Sequence, residues 1–183
     1  DGQRFAKAME MNIVQLRHHI QQLFETPAFR RSRNRLLEKF RHEEQKLAQH
    51  FDATLRRSGF TLGQIQREDG ATEQDIFYLH EGQSQPIEIL EQLVSAGKMS
   101  AHHADKLVSL YGGFRNDLLD VARRQLVIAQ EFRDALLSHD RHRAGAFVKD
   151  IFSDERRLYK DAKVLEYLDE CEADLLENIE IFT

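Results

Sequence analysis

The chain of 183 residues has no tryptophan, two prolines, one cysteine and nine glycines. So few prolines and glycines leave too few turn signals for an all-β sandwich. A single cysteine excludes an internal disulfide framework and a multi-cysteine zinc site. It also fits a reducing, cytoplasmic compartment. No apolar run approaches the roughly 20 residues of a membrane span, and the first residues read as a helix rather than a secretory leader. The chain opens at Asp1 rather than methionine, so a piece of a longer protein is expected.

What is present is a globular composition, 41% hydrophobic and 31% charged, of the kind that favours exposed helices. The length fits one domain or two small ones, able to bury roughly 70% of the unfolded surface. Charge is unevenly spread. Residues 1–58 hold 12 Lys/Arg against 7 Asp/Glu, and residues 59–183 hold 14 against 24, for the net −5 of the whole. Val164 to Thr183 carries seven acids and no Lys or Arg. Two solvated faces account for this, as would two surfaces with different partners.

Met9, Ile13, Leu16, Ile20 and Leu23 recur at spacings of 4, 3, 4 and 3, predicting a helix over 3–24. Thr26-Pro27 supplies an N-cap and a first-turn proline for a second helix to about Ser58, which Gly59 ends. Phe60 to Gln66 roughly alternates, and Ile76-Phe77-Tyr78-Leu79 is rich in strand formers, with Asp69-Gly70 between them. The pattern predicts a β-hairpin with a loop longer than two residues. A short helix follows over Ile87 to Ala96. Ser100 then caps a long one to about Ser138, whose stripe from Leu107 to Leu136 repeats at close to 3.5 residues, the coiled-coil period. Gly112-Gly113 interrupts the stripe, and the sequence leaves open whether the helix breaks there or runs through. Further helices are expected over Ala144–Phe152 and Asp161–Phe182. The two long helices, roughly 48 and 57 Å, read as an antiparallel arm over 27–58 and 100–138. The hairpin and short helix occupy 60–97, and a helical base is made by 1–25 and 140–183. The expected fold is mainly α, one helical domain with a small β-hairpin.

Catalytic motifs are missing. Gly97-Lys98 lacks the rest of a P-loop, with Gln92 and Met99 where a glycine and a magnesium-binding hydroxyl are needed. His139 and His142 lie three apart, and His18-His19 and His102-His103 are adjacent, but no H-E-x-x-H is present and polar helix faces explain them. Cys171 falls on the apolar stripe of the last helix, as a small core residue would. No serine sits in a Gly-x-Ser-x-Gly elbow, although Ser-Lys chemistry needs only spatial neighbours. Arg30, Arg31, Arg33, Arg35 and Arg41 spread around their helix, and in an acidic chain they read as a solvated face; nucleic acid is disfavoured. The hairpin is the more informative feature. Phe60, Ile65, Phe77, Tyr78 and Leu79 either pack against the arm or form an exposed apolar patch that contacts a partner or an unfolded chain.

The ends of the chain carry a resemblance. Gly2-x-x-Phe5-x-x-x-Met9 leads to Phe24-Glu25-Thr26-Pro27-x-Phe29, and the basic helix closes on Ser58-Gly59-Phe60. Near the C-terminus stand Val164-Leu165-x-Tyr167-Leu168 and Asp174-Leu175-Leu176-Glu177-Asn178-Ile179-x-Ile181-Phe182. Over about residues 2–182 the chain resembles the helical insertion domain of Lon-like ATP-dependent proteases, whose AAA+ module a coiled-coil insert interrupts. The resemblance implies a P-loop upstream, and a Walker B region, lid and Ser-Lys protease domain downstream. It therefore implies no catalytic, cofactor or metal residue in this segment, with ATP and Mg bound only by the parent. It implies a substrate-recognition and gating role in protein degradation and quality control. The partners would be unfolded or damaged proteins and the rest of a homo-oligomeric ring, with no membrane. Phe60, Ile65, Phe77, Tyr78 and Leu79 are the expected client contacts. The alternatives are a structural coiled-coil assembly module and, less favoured, a nucleic-acid-binding arm.

Overall fold

A computed structural model describes residues 2–182. Among them the fold is mainly helical, with one small antiparallel sheet. The elements are α1 (Gly2–Glu25), α2 (Pro27–Arg57), β1 (Phe60–Gln66), β2 (Thr72–His80), β3 (Gln83–Gln85), α3 (Ile89–Ser95), α4 (Ala101–Ile151), α5 (Ser153–Leu158) and α6 (Ala162–Glu177), with a closing 3-10 turn at Ile179–Phe182. The chain divides into two compact units, one of residues 1–40 and 130–183 and one of Arg41–Ala129.

The predicted caps form. The Thr26 hydroxyl accepts from the Phe29 amide at 3.3 Å, and Phe24 stacks on Phe29 at 4.5 Å, fixing the entry to α2. Ser100 accepts from the His103 amide at 3.2 Å. Asp161, which the sequence marked only as the start of a helix, also caps it, accepting from the Lys163 amide at 2.9 Å. Gly59, at φ +81°, follows the end of α2.

The first unit packs Leu16 and Ile20 of α1, Ala144 and Val148 of α4, Phe152, Leu168 of α6 and Ile179 into one core, with Cys171 partly buried against it. Here α2 and α4 run antiparallel: Phe29 meets His139 at 5.2 Å between ring centres and Phe40 meets Phe132 at 5.3 Å. The second unit gathers Phe51 and Leu55 of α2, Phe60, Ile76, Leu90, Leu93, and Ala104, Leu107 and Phe114 of α4. The sheet order is β1-β2-β3. Phe60 pairs with Tyr78 and Gln66 with Thr72 across a loop where Asp69 accepts from the Ala71 amide at 2.9 Å.

The structure settles one open point and corrects four expectations. Gly112-Gly113 does not break α4, which is continuous from Ala101 to Ile151. Each glycine costs a helix about 1 kcal/mol, but the flanking Tyr111 and Phe114 are held in the core. Nor does the helix stop at Ser138 and restart at Ala144. The polar run between them is fastened by its own bonds: Asp140 to Arg33 at 3.2 Å, and Arg141 to the carbonyls of Leu176 and Glu177 at 2.9 and 2.8 Å. The hairpin gains a third strand, β3, through Glu81 and Gly82, both at positive φ as a two-residue primed turn requires. The last helix ends at Glu177, where the Asn178 side chain turns back onto the Asp174 carbonyl at 3.0 Å, and the chain tightens into the 3-10 turn. The short helix α5 lies in a stretch for which no helix was expected.

Candidate functional site

Alternation along β1 and β2 sorts the hairpin into two sets. Phe60, Leu62, Ile76 and Tyr78 belong to the core of the second unit or pack against it. Phe60 is 0% exposed and sits edge-on to Phe114 at 5.6 Å and to Tyr78 at 5.8 Å. It therefore supports the sheet and offers no surface to a client. Tyr78 is partly buried against the same core and stacks on His80 at 6.2 Å.

Ile65, Phe77 and Leu79 fall in the other alternation set. Ile65 is 36% exposed, and Phe77 and Leu79 are half-buried. Gly63 makes this arrangement possible: a Cβ there would meet the Phe77 ring at 2.5 Å, so the ring lies over bare backbone. The face that results is small and mixed, because Thr61, Glu73 and Asp75 share it with the three apolar side chains.

The start of edge strand β1 is protected. The Asp52 carboxylate on α2 accepts from Arg56 at 2.6 Å, from the Thr61 hydroxyl at 3.3 Å and from the Leu62 amide at 3.5 Å. Its pKa is lowered, first by the Arg56 hydrogen bond, although partial burial opposes the shift. On the same sheet Asp75 lies 4.0 Å from Arg115. Burial holds the Tyr111 hydroxyl above its ordinary pKa, and the Asp75 charge adds to that.

A second constellation, in the first unit, escaped the sequence reading. His139 Nδ1 lies 2.9 Å from the Asp140 carboxylate and Nε2 lies 2.7 Å from the Ser32 hydroxyl. Asp140 is 3% exposed, and its other oxygen faces Arg33 at 3.2 Å. The order serine, imidazole, carboxylate is that of a nucleophilic relay. Ser32 lies inside α2, however, where neighbouring backbone amides are committed to the helix and cannot form an oxyanion hole. The relay opens on a cleft of about 640 Å³. Ser32, Arg35, Leu36 and Lys39 line it from α2, and Ala135, Ser138, His139 and His142 line it from α4. Both sets are spaced 3, 1, 3, so each is one helical face.

The remaining candidates are dispersed. His18 bonds Gln22 at 2.9 Å, and His19 lies 6.3 Å from the Phe147 ring. Among the described residues no group of three or more His, Cys, Asp or Glu could hold a metal ion. Of the arginine cluster, Arg30 and Arg31 are exposed, Arg33 joins Asp140, and Arg35 lines the cleft. No helix among the described residues is long and apolar enough to cross a membrane. Comparison with protein-family models, curated proteins and solved structures found no match for this chain.

Proposed function

We propose that this chain is a non-catalytic substrate-recognition and gating module of a Lon-type ATP-dependent serine protease, acting in cytoplasmic protein quality control. The observation that carries the reading is the Ile65, Phe77 and Leu79 set, left partly exposed with Phe77 braced over Gly63. Such a face holds apolar side chains of an unfolded client by contact alone and needs no cofactor in this segment. ATP and Mg belong to the parent ring. The terminal motifs that carry the resemblance support the same reading.

The test is binding of a natively unfolded casein to the chain and to an Ile65→Ser/Phe77→Ser/Leu79→Ser variant, followed by fluorescence anisotropy. Retained helical circular dichroism with affinity lowered about tenfold supports the proposal. Unchanged affinity in the folded variant removes it.

A second reading, assembly without client binding, is favoured by one observation. Leu119 and Leu126 stand seven residues apart on α4 and are 57% and 72% exposed. Sedimentation of the chain and of Leu119→Gln/Leu126→Gln separates the readings. A self-associating chain that the double substitution makes monomeric, with no casein binding by either, favours assembly.

A further inference from the structure

We propose that the cleft between α2 and α4 in the first unit is a binding site for a terminal phosphate group, a phosphate monoester in chemical class. The proposal stands apart from the client reading, which concerns the other unit.

Charge is the first ground. The two helical faces present Arg35 and Lys39, the imidazoles of His139 and His142 and the hydroxyls of Ser32 and Ser138, with no carboxylate among the lining residues. This occurs in a chain with 31 acidic residues and a net charge of −5. Asp140, next to the lining residue His139, is buried and already engaged by Arg33 and His139.

The relay is the second ground. With a neutral imidazole whose Nδ1 donates to Asp140, Nε2 accepts the Ser32 proton and the hydroxyl has none to give. Where Nε2 carries the proton, Ser32 Oγ accepts from it and its own O–H is free to reach an anion in the cleft. Arg33, which shares Asp140, and the Phe29 ring also lie against this network.

The donors select the ligand. They come from two helices and line an open cleft together with the apolar Leu36 and Ala135. A tetrahedral group with three free oxygens uses donors on several sides, where a carboxylate has only two oxygens to offer. A nucleic-acid backbone fits less well. The first unit carries 16 Lys/Arg against 18 Asp/Glu, net −2, so no broad positive field surrounds the cleft.

The test is titration of the full chain with phenyl phosphate, followed by backbone amide NMR and calorimetry at low salt. Perturbed signals at Ser32, Arg35, His139 and His142 are expected, with affinity falling at least tenfold in Arg35→Gln/Lys39→Gln. Ser32→Ala, which suits a helix, is expected to weaken binding about threefold. Arg30→Gln/Arg31→Gln, outside the cleft, should leave affinity unchanged. Absence of binding at millimolar phenyl phosphate overturns the proposal, as does binding that survives Arg35→Gln/Lys39→Gln in a chain of native circular dichroism. A DNA oligonucleotide that binds more tightly than phenyl phosphate and is released by Arg30→Gln/Arg31→Gln assigns the arginines to nucleic acid and also overturns it.

Discussion

The two units draw on the same two long helices but hold themselves together differently. The second unit closes around a sheet, with Phe60 wedged between Tyr78 and Phe114. The first fastens helices with charged and polar bonds laid over an apolar core. Arg156 reaches Asp169 at 2.6 Å and Glu172 at 2.8 Å, Arg141 covers the last carbonyls of α6, and the Asp140 network ties α4 to α2. Apolar contact is non-directional and tolerates repacking, whereas a buried polar network requires particular geometry. The contrast teaches where each unit is sensitive: to lost volume in one, to lost partners in the other.

The largest expected effect tests that contrast directly. Phe60→Ala should destabilise the second unit by about 4 kcal/mol. Amide exchange should then rise across β2 while α6 keeps its protection. Equal loss in α6 would show that the units unfold as one. Next is Asp140→Ala, which strips a buried anion from Arg33 and His139 and should cost about 3 kcal/mol. Urea unfolding measures it, and a loss below that of an exposed pair would mean the network contributes geometry rather than stability. Gly63→Ala is smaller, about 1–2 kcal/mol, because the Phe77 ring must swing off the backbone. Thermal unfolding, with the Phe77 ring signals as a second readout, checks it.

The smallest effect is set by pH. Asp52 has a folded pKa below its ordinary 3.8, so its contribution is present above 3.8 and is lost as pH falls through the lower folded value. A loss of up to about 1 kcal/mol is expected. Asp52→Asn should flatten that part of the stability curve while leaving the first unit unchanged. An unaltered acid limb in the variant would remove Asp52 as its source.

Helices were legible wherever an apolar stripe met a cap. Thr26, Ser100 and Asp161 mark true starts because a side-chain oxygen answers a nearby amide. The hairpin was legible from alternation. The failures share a cause. Glu81-Gly82 hides a primed turn because glutamate rarely takes positive φ, and Gly112-Gly113 and the 139–143 run look like breaks because local propensity omits what packing and long-range bonds contribute. The apolar set on β1 and β2 could be named in advance, but its division could not. Phe60 faces inward and Phe77 covers Gly63 only once register is fixed. The Ser32–His139 bond joins residues 107 positions apart, beyond any spacing rule.

The paired glycines in α4 have a mechanical consequence. Both stand in open space, where an added methyl group would meet nothing within 4 Å. No steric demand keeps them there, and neither has a side chain of its own to brace the helix against opening. A helix under tension yields where each residue holds least, so α4 would part first at this turn, between the anchors Tyr111 and Phe114. Replacing both with alanine would move that weakest point elsewhere and raise the load the helix bears before it unwinds.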